Sequence, residues 1–166
     1  MTRLAWLALV VVSVRAGEIQ IEANVRYFRD PQTVLDILQP RAPALKERVG
    51  VIVIPGRDSS KEAAGEKFGK VFVDRGWVVA AVEYREDEAE GDVAKAAQWF
   101  SGHAAEYRID PKRIVACCGH LARSVGMAAA IVDLDGGESS KGAPPVLVSP
   151  DLSDHVFVWL RKHKIQ

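Results

Sequence analysis

The 166 residues carry 22 lysines and arginines against 22 aspartates and glutamates, so the net charge is zero, and 48% of the residues are hydrophobic. That composition supports one domain with a substantial apolar core and lacks the basic surplus that a nucleic-acid partner calls for. The two cysteines, Cys117 and Cys118, adjoin in an apolar run; without Cys-x-x-Cys spacing they give no zinc site and read as small packing residues.

In chain order, Arg3, the apolar residues 4–14 and the small-residue pattern Val14-Arg15-Ala16 have the form of an export signal over residues 1–16. The apolar run is too short for a stable membrane span. A single domain over 17–166, secreted or periplasmic, is therefore expected. From Glu18 to Tyr27 polar and apolar residues alternate, with Ile19, Ile21, Ala23, Val25 and Tyr27 on one face. Period two predicts a strand with one buried face. Asp30-Pro31-Gln32 is turn chemistry, and residues 33–38 return as the second strand of an antiparallel hairpin.

The pattern then changes to alternating strands and helices. Residues 49–54 form a continuous apolar strand, as expected where both faces are covered. Ser60 caps a helix running to Asp74, with Ala63, Ala64, Phe68, Val71 and Phe72 apolar, and Gly76 stops it. Residues 77–82 are the next strand, and Asp92 opens a helix carrying Val93, Ala96, Ala97 and Phe100 at helical spacing. Asp110-Pro111 breaks the chain before a strand over 114–118; a helix over about 124–134 and a glycine-rich loop over 136–142 follow. A strand over 145–148 and a helix over 153–163 complete the series. This is the pattern of an α/β fold: a mostly parallel sheet with helices on both faces, opened by an antiparallel hairpin. Ligands of such sheets bind beyond the carboxyl ends of the strands.

The strand-turn sequence Ile114-Val115-Ala116-Cys117-Cys118-Gly119-His120-Leu121 stands where an α/β-hydrolase carries its Gly-x-Ser-x-Gly elbow. Together with Gly-Trp-Val-Val-Ala-Ala-Val-Glu-Tyr-Arg over 76–85 and Tyr-Arg-Ile-Asp-Pro-Lys-Arg-Ile-Val over 107–115, it resembles small esterase/lipase members of the α/β-hydrolase superfamily, in particular carboxylesterases and feruloyl-esterase-like proteins. The likeness runs from about Val25 to Gly119, and residues 157–163 look like the family's last helix. Between Asp133 and Pro144 the chain skips the cap and later strands of a full member. The resemblance implies an abbreviated hydrolase core, a small-molecule ester or related ligand, and no cofactor or metal.

Against the family pattern two positions depart. The His-Gly-Gly-Gly oxyanion loop is Pro55-Gly56-Arg57-Asp58 here, leaving Gly56 and Arg57 as backbone donors. At the elbow, Leu121 takes the serine's place, and a leucine cannot attack a carbonyl. His120 and Leu121 are then site-wall residues. A second frame, Ala122-Arg123-Ser124-Val125-Gly126, offers Ser124 as nucleophile; its competing role is a serine near a helix N-terminus. The order serine, acid, histidine would be completed by His155 as base and Asp151 as orienting acid. Their competing roles are helix cap and first-turn residue. The acidic run Glu86-Asp87-Glu88-Ala89-Glu90 reads as a solvated loop. The expectation is a carboxylic-ester hydrolase by descent with weak or absent turnover. The alternatives are an active serine esterase using Ser124, or a non-catalytic relative binding a small ligand or partner.

Overall fold

The computed structural model describes residues 18–118, 120–134, 146–149, 152 and 154–165. The expected export signal, the glycine-rich loop over 136–142 and Asp151 lie outside them. Among the described residues, β1 (Ile19–Arg26), β2 (Val34–Pro40), β3 (Arg48–Val53), β4 (Val78–Val82), β5 (Ile109–Cys117), β6 (Ala130–Asp133) and β7 (Val146–Val148) form one sheet in the order β1-β2-β4-β3-β5-β6-β7. β2 pairs antiparallel with both β1 and β4, and all other pairings are parallel. The mostly parallel sheet with an antiparallel opening hairpin is as the sequence predicts.

Helices cover both faces. Ile52 and Ile54 of the β3 segment pack with Val93 and Phe100 of α3 (Ala89–Gly102). Val51 and Val53, pointing the other way, pack with Phe72, and with Phe157 and Leu160 of α4 (Asp154–Lys162). Two cores on opposite faces explain why the strand is apolar at every position. None of the helices in the described residues is long and apolar enough to cross a membrane.

The first helix is capped as expected, Ser60 Oγ accepting from the Ala63 N–H at 3.2 Å. It is built from α1 (Lys61–Ala64), a π turn over Gly65–Gly69 and α2 (Lys70–Val73). Its buried side is not the expected apolar set. Ala63 is exposed, while Lys61, Gly65 and Gly69 are buried beside Ala64 and Phe72. A Cβ on Gly65 or Gly69 would stand 3.4 Å from Ala81, Leu38 or Val79, so the two glycines let the helix lie close on β2 and β4. Lys61 is tolerated in this position because its ammonium reaches Asp36 Oδ2 at 3.0 Å. Burial alone would lower its pKa, but hydrogen bonds to Glu62 and Asp36 outweigh this and raise it. Gly76, at φ 84°, ends the run as expected.

Three expectations need correction. β1 does not bury one face: Ile21 is 60% exposed, and Ile19 and Val25 pack against opposite cores. A bulge between Glu22 and Val25, with Asn24 at φ 58°, inserts a residue and switches the faces. Second, Asp92 does not open α3, which starts at Ala89; Asp92 lies inside the helix, fully buried. Third, residues 124–134 are not a helix. A short 3₁₀ turn over His120–Ser124 gives way to β6, whose Ile131 pairs with Ala116. The alanine-rich stretch satisfies helical spacing, but β-branched Ile131 and Val132 gain more by completing the sheet.

Elsewhere the elements differ only in their ends. Asp110-Pro111 does interrupt the pairing, as a register shift within β5 between the Arg48–Ile109 and Gly50–Ile114 pairs.

Candidate active site

The loops following β3, β4 and β5 meet in a cleft of about 500 Å³ at the carboxyl ends of these strands. Pro55, Gly56 and Arg57 form one wall, residues 83–86 another, and Leu121 lies at the end of β5 between them. Two tyrosines hold the walls in place. Tyr84 Oη donates to the Pro55 carbonyl at 2.9 Å, tying the two loops together, and Tyr27 Oη donates to the Glu83 carbonyl at 2.7 Å. Burial first, and the Asp92 carboxylate second, push the Tyr27 pKa far above the ordinary tyrosine value, so this hydroxyl remains a donor.

Arg85 is anchored from beneath. Its Nε and Nη2 donate to the two Asp92 oxygens at 2.8 Å each, a bidentate pair. Hydrogen bonding from Arg85 holds the Asp92 carboxyl below its ordinary pKa despite the opposing effect of burial. Both loop and helix are thereby fixed, and the cleft is a preformed pocket.

The residues singled out from the sequence divide into two groups. Gly56, Arg57 and Leu121 line this cleft together. A Cβ on Gly56 would meet nothing within 4 Å, so no close backbone approach requires glycine at this position. Leu121 is 7% exposed and packs into the α3-side core. His120 starts the 3₁₀ turn that holds Leu121.

Ser124, at the end of that turn, is not among the residues lining the cleft. His155 Nε2 lies 3.0 Å from Ser149 Oγ, a buried hydroxyl just beyond β7. The structure therefore brings His155 to Ser149, and Asp151 lies outside the described residues.

Sequence reasoning missed the residues that shape the turn. Arg123, next to Ser124, donates through Nε to Asp133 Oδ2 at 3.0 Å, with Nη2 at 2.9 Å, pinning the turn to the end of β6. Asp133 is 1% exposed. Cys117 and Cys118, read as packing residues, are buried but also joined by a disulfide at the end of β5. Cys118 sits at φ 95°, turning the chain so that adjacent side chains meet. His103 and His163 each reach a tryptophan carbonyl one turn back, Trp99 at 2.7 Å and Trp159 at 2.9 Å.

A sheet in this strand order, flanked by helices and opening its cleft where β3, β4 and β5 end, defines an α/β-hydrolase core. The BD-FAE family model matches residues 35–145, and the chain belongs to that α/β-hydrolase esterase family. Solved structures share the fold. A truncated carbohydrate esterase from gut microbiota is 19% identical with a TM-score of 0.59, covering 72% of this chain and 57% of its own. For a bacterial heroin esterase the values are 22%, 0.57, 75% and 46%. For esterase B from Lactobacillus rhamnosis they are 16%, 0.59, 72% and 49%. The chain thus spans about half the length of these esterases. No curated protein matches it.

Proposed function

We propose that this esterase-family protein holds a small ester, or a related small molecule, in the cleft with little or no turnover. The observation that carries this is Leu121, which occupies the cleft at the end of β5 where the family frame requires an attacking hydroxyl. Acyl transfer needs a nucleophile, a base within hydrogen-bond reach and donors for the oxyanion. Leu121 supplies no nucleophile, and the Ser149–His155 pair, 3.0 Å apart, is not among the described residues that line the cleft. The strand also leads into a single 3₁₀ turn instead of the α-helix that follows a nucleophile elbow. What persists is the binding half of an enzyme: two tied loops, an anchored arginine and a pocket within the volume range of small-ligand sites. The esterase names of the structural neighbours support an ester as the ligand class.

The protein acts outside the cytoplasm in this scheme. The charged, apolar and small-residue order of residues 1–16 supports export, and the Cys117–Cys118 disulfide suits an oxidising compartment.

Labelling with a fluorophosphonate probe tests the loss of turnover. The wild-type protein is expected to remain unlabelled and to hydrolyse a simple acetate ester no faster than buffer does. Labelling that vanishes in Ser124→Ala would instead establish an active serine esterase built on Ser124, His155 and Asp151. Labelling lost in Ser149→Ala would place the nucleophile at the Ser149–His155 pair. Either result overturns the proposal.

A further inference from the structure

The strands that end at the cleft begin, at the opposite side of the sheet, beside a second and larger hollow. This groove has a volume of about 820 Å³. It is bounded by the start of β3 at Arg48, by Gly76 and Trp77 ahead of β4, by Arg113 of β5, and by one side of α4. β3 has six residues, so it separates groove from cleft by roughly 20 Å at about 3.3 Å per residue.

We propose that this groove is a binding site for a small organic carboxylate with an apolar body, such as an aromatic or short acyl acid. It is independent of what the cleft does. Among the described residues, five cations, Lys46, Arg48, Arg75, Arg113 and Arg161, border the groove with two carboxylates, Glu47 and Asp154, in a chain whose net charge is zero. Two of the guanidiniums are held by the fold. Arg75 Nη1 donates to the Val71 carbonyl at 3.0 Å, and its guanidinium lies 3.5 Å from the centre of the Phe157 ring. Arg113 donates through Nε and Nη2 to the Ile165 carbonyl at 3.2 and 3.1 Å. Each guanidinium has five N–H donors in a planar fork that matches a carboxylate, so these contacts orient the groups and leave donors for a ligand.

The same walls are apolar between the charges. Trp77 and Phe157 meet edge to face with centroids 5.9 Å apart at the base, while Val158 and the fully exposed Leu45 stand at the rim. Cations set around an aromatic floor suit an acid with a hydrophobic body better than inorganic phosphate, which would use only the cations. Burial first, and the neighbouring Arg108 second, push the Arg48 pKa below its ordinary value, a cost that a bound anion would relieve. The exposed carboxylate of Asp154 accepts from Arg75 Nη2 at 3.3 Å, so its repulsion of a ligand is reduced by that guanidinium as well as by water.

Calorimetric titration of the full chain with 2-naphthoate tests the site, with naphthalene-2-methanol and inorganic phosphate as separate arms. Saturable binding of one naphthoate is expected, with the neutral alcohol and phosphate each at least about tenfold weaker. Arg75→Gln should weaken naphthoate by about tenfold or more. Lys46→Gln/Arg161→Gln, at exposed positions that leave the Arg75 and Arg113 backbone contacts intact, should weaken it by several-fold and keeps the test valid if Arg75→Gln does not fold. Arg26→Gln, which removes one positive charge from exposed β1, should leave the affinity within about twofold. Absence of saturable naphthoate binding, equal binding of the alcohol, or unchanged affinity in the double variant overturns the proposal. Phosphate binding as tightly as naphthoate also overturns it, since the apolar floor would then contribute nothing.

Discussion

Four donors converge on Asp92: the backbone N–H of Arg85 at 3.3 Å, Arg85 Nε and Nη2 at 2.8 Å, and Lys95 Nζ at 3.3 Å. A fully buried carboxylate is stable only when so satisfied, and here it determines where the cleft's arginine stands. Because its folded pKa is depressed, chiefly by Arg85, Asp92 contributes stability above the ordinary carboxylate pKa of about 3.9, and that contribution is lost as pH falls through the lower folded value. Asp92→Asn should therefore lower Tm clearly at pH 7. The gap to wild type should narrow as pH is taken below about 4. Thermal melts at a series of pH values check this, and a gap independent of pH would contradict it. Leu121 is the contrasting case, an apolar side chain at the cleft. It fills a core position and closes the floor of the pocket with no reactive atom.

Among the elements, β3 bears the most constraint, since it lies between β4 and β5 and supports both cores. Gly50 marks how closely α3 approaches it. A Cβ at this position would come within 2.9 Å of Ile109 Cγ2 and 3.0 Å of Phe100 Cε1, both fully buried. Gly50→Ala should destabilise the fold by about 1–3 kcal/mol, the usual cost of overpacking, measured by urea denaturation with an unchanged m-value. A neutral result would mean that Phe100 repacks freely. The link from β5 to β6 is the element that departs most from the expected helix. A turn of five residues replaces a full helix, and the Arg123–Asp133 pair takes over the work of anchoring it.

For the whole molecule, cleft and groove occupy opposite ends of one sheet, as a parallel sheet with crossover helices allows: loops at one end of the strands vary independently of those at the other. The proposed placement outside the cytoplasm rests on the charged, apolar and small-residue order of residues 1–16. Expression in a secreting host, with intact-mass analysis of the exported protein, should show an N-terminus at Gly17. Retention of the full chain in the cytoplasm would contradict it.

Much of the architecture was legible from local pattern. The order of strands and helices up to β5, the Ser60 cap, the Gly76 stop and the apolar positions of α3 follow from periodicity and turn chemistry, which depend on near neighbours. The elbow frame that sets Leu121 at the end of β5 is a contiguous motif, and Leu121 does line the cleft there. Where local signals conflicted, the reading failed: the alanine-rich stretch before β6 satisfied a helix, and the period of β1 gave no sign of the bulge at Asn24.

The amino-acid order by itself determined the fold class and the family frame, since each is written in short contiguous stretches. Only the tertiary structure decided that Arg123 pins Asp133, that His155 meets Ser149, and that five cations from four segments border one groove. Those are relations between positions made neighbours by sheet pairing, and no local period encodes them.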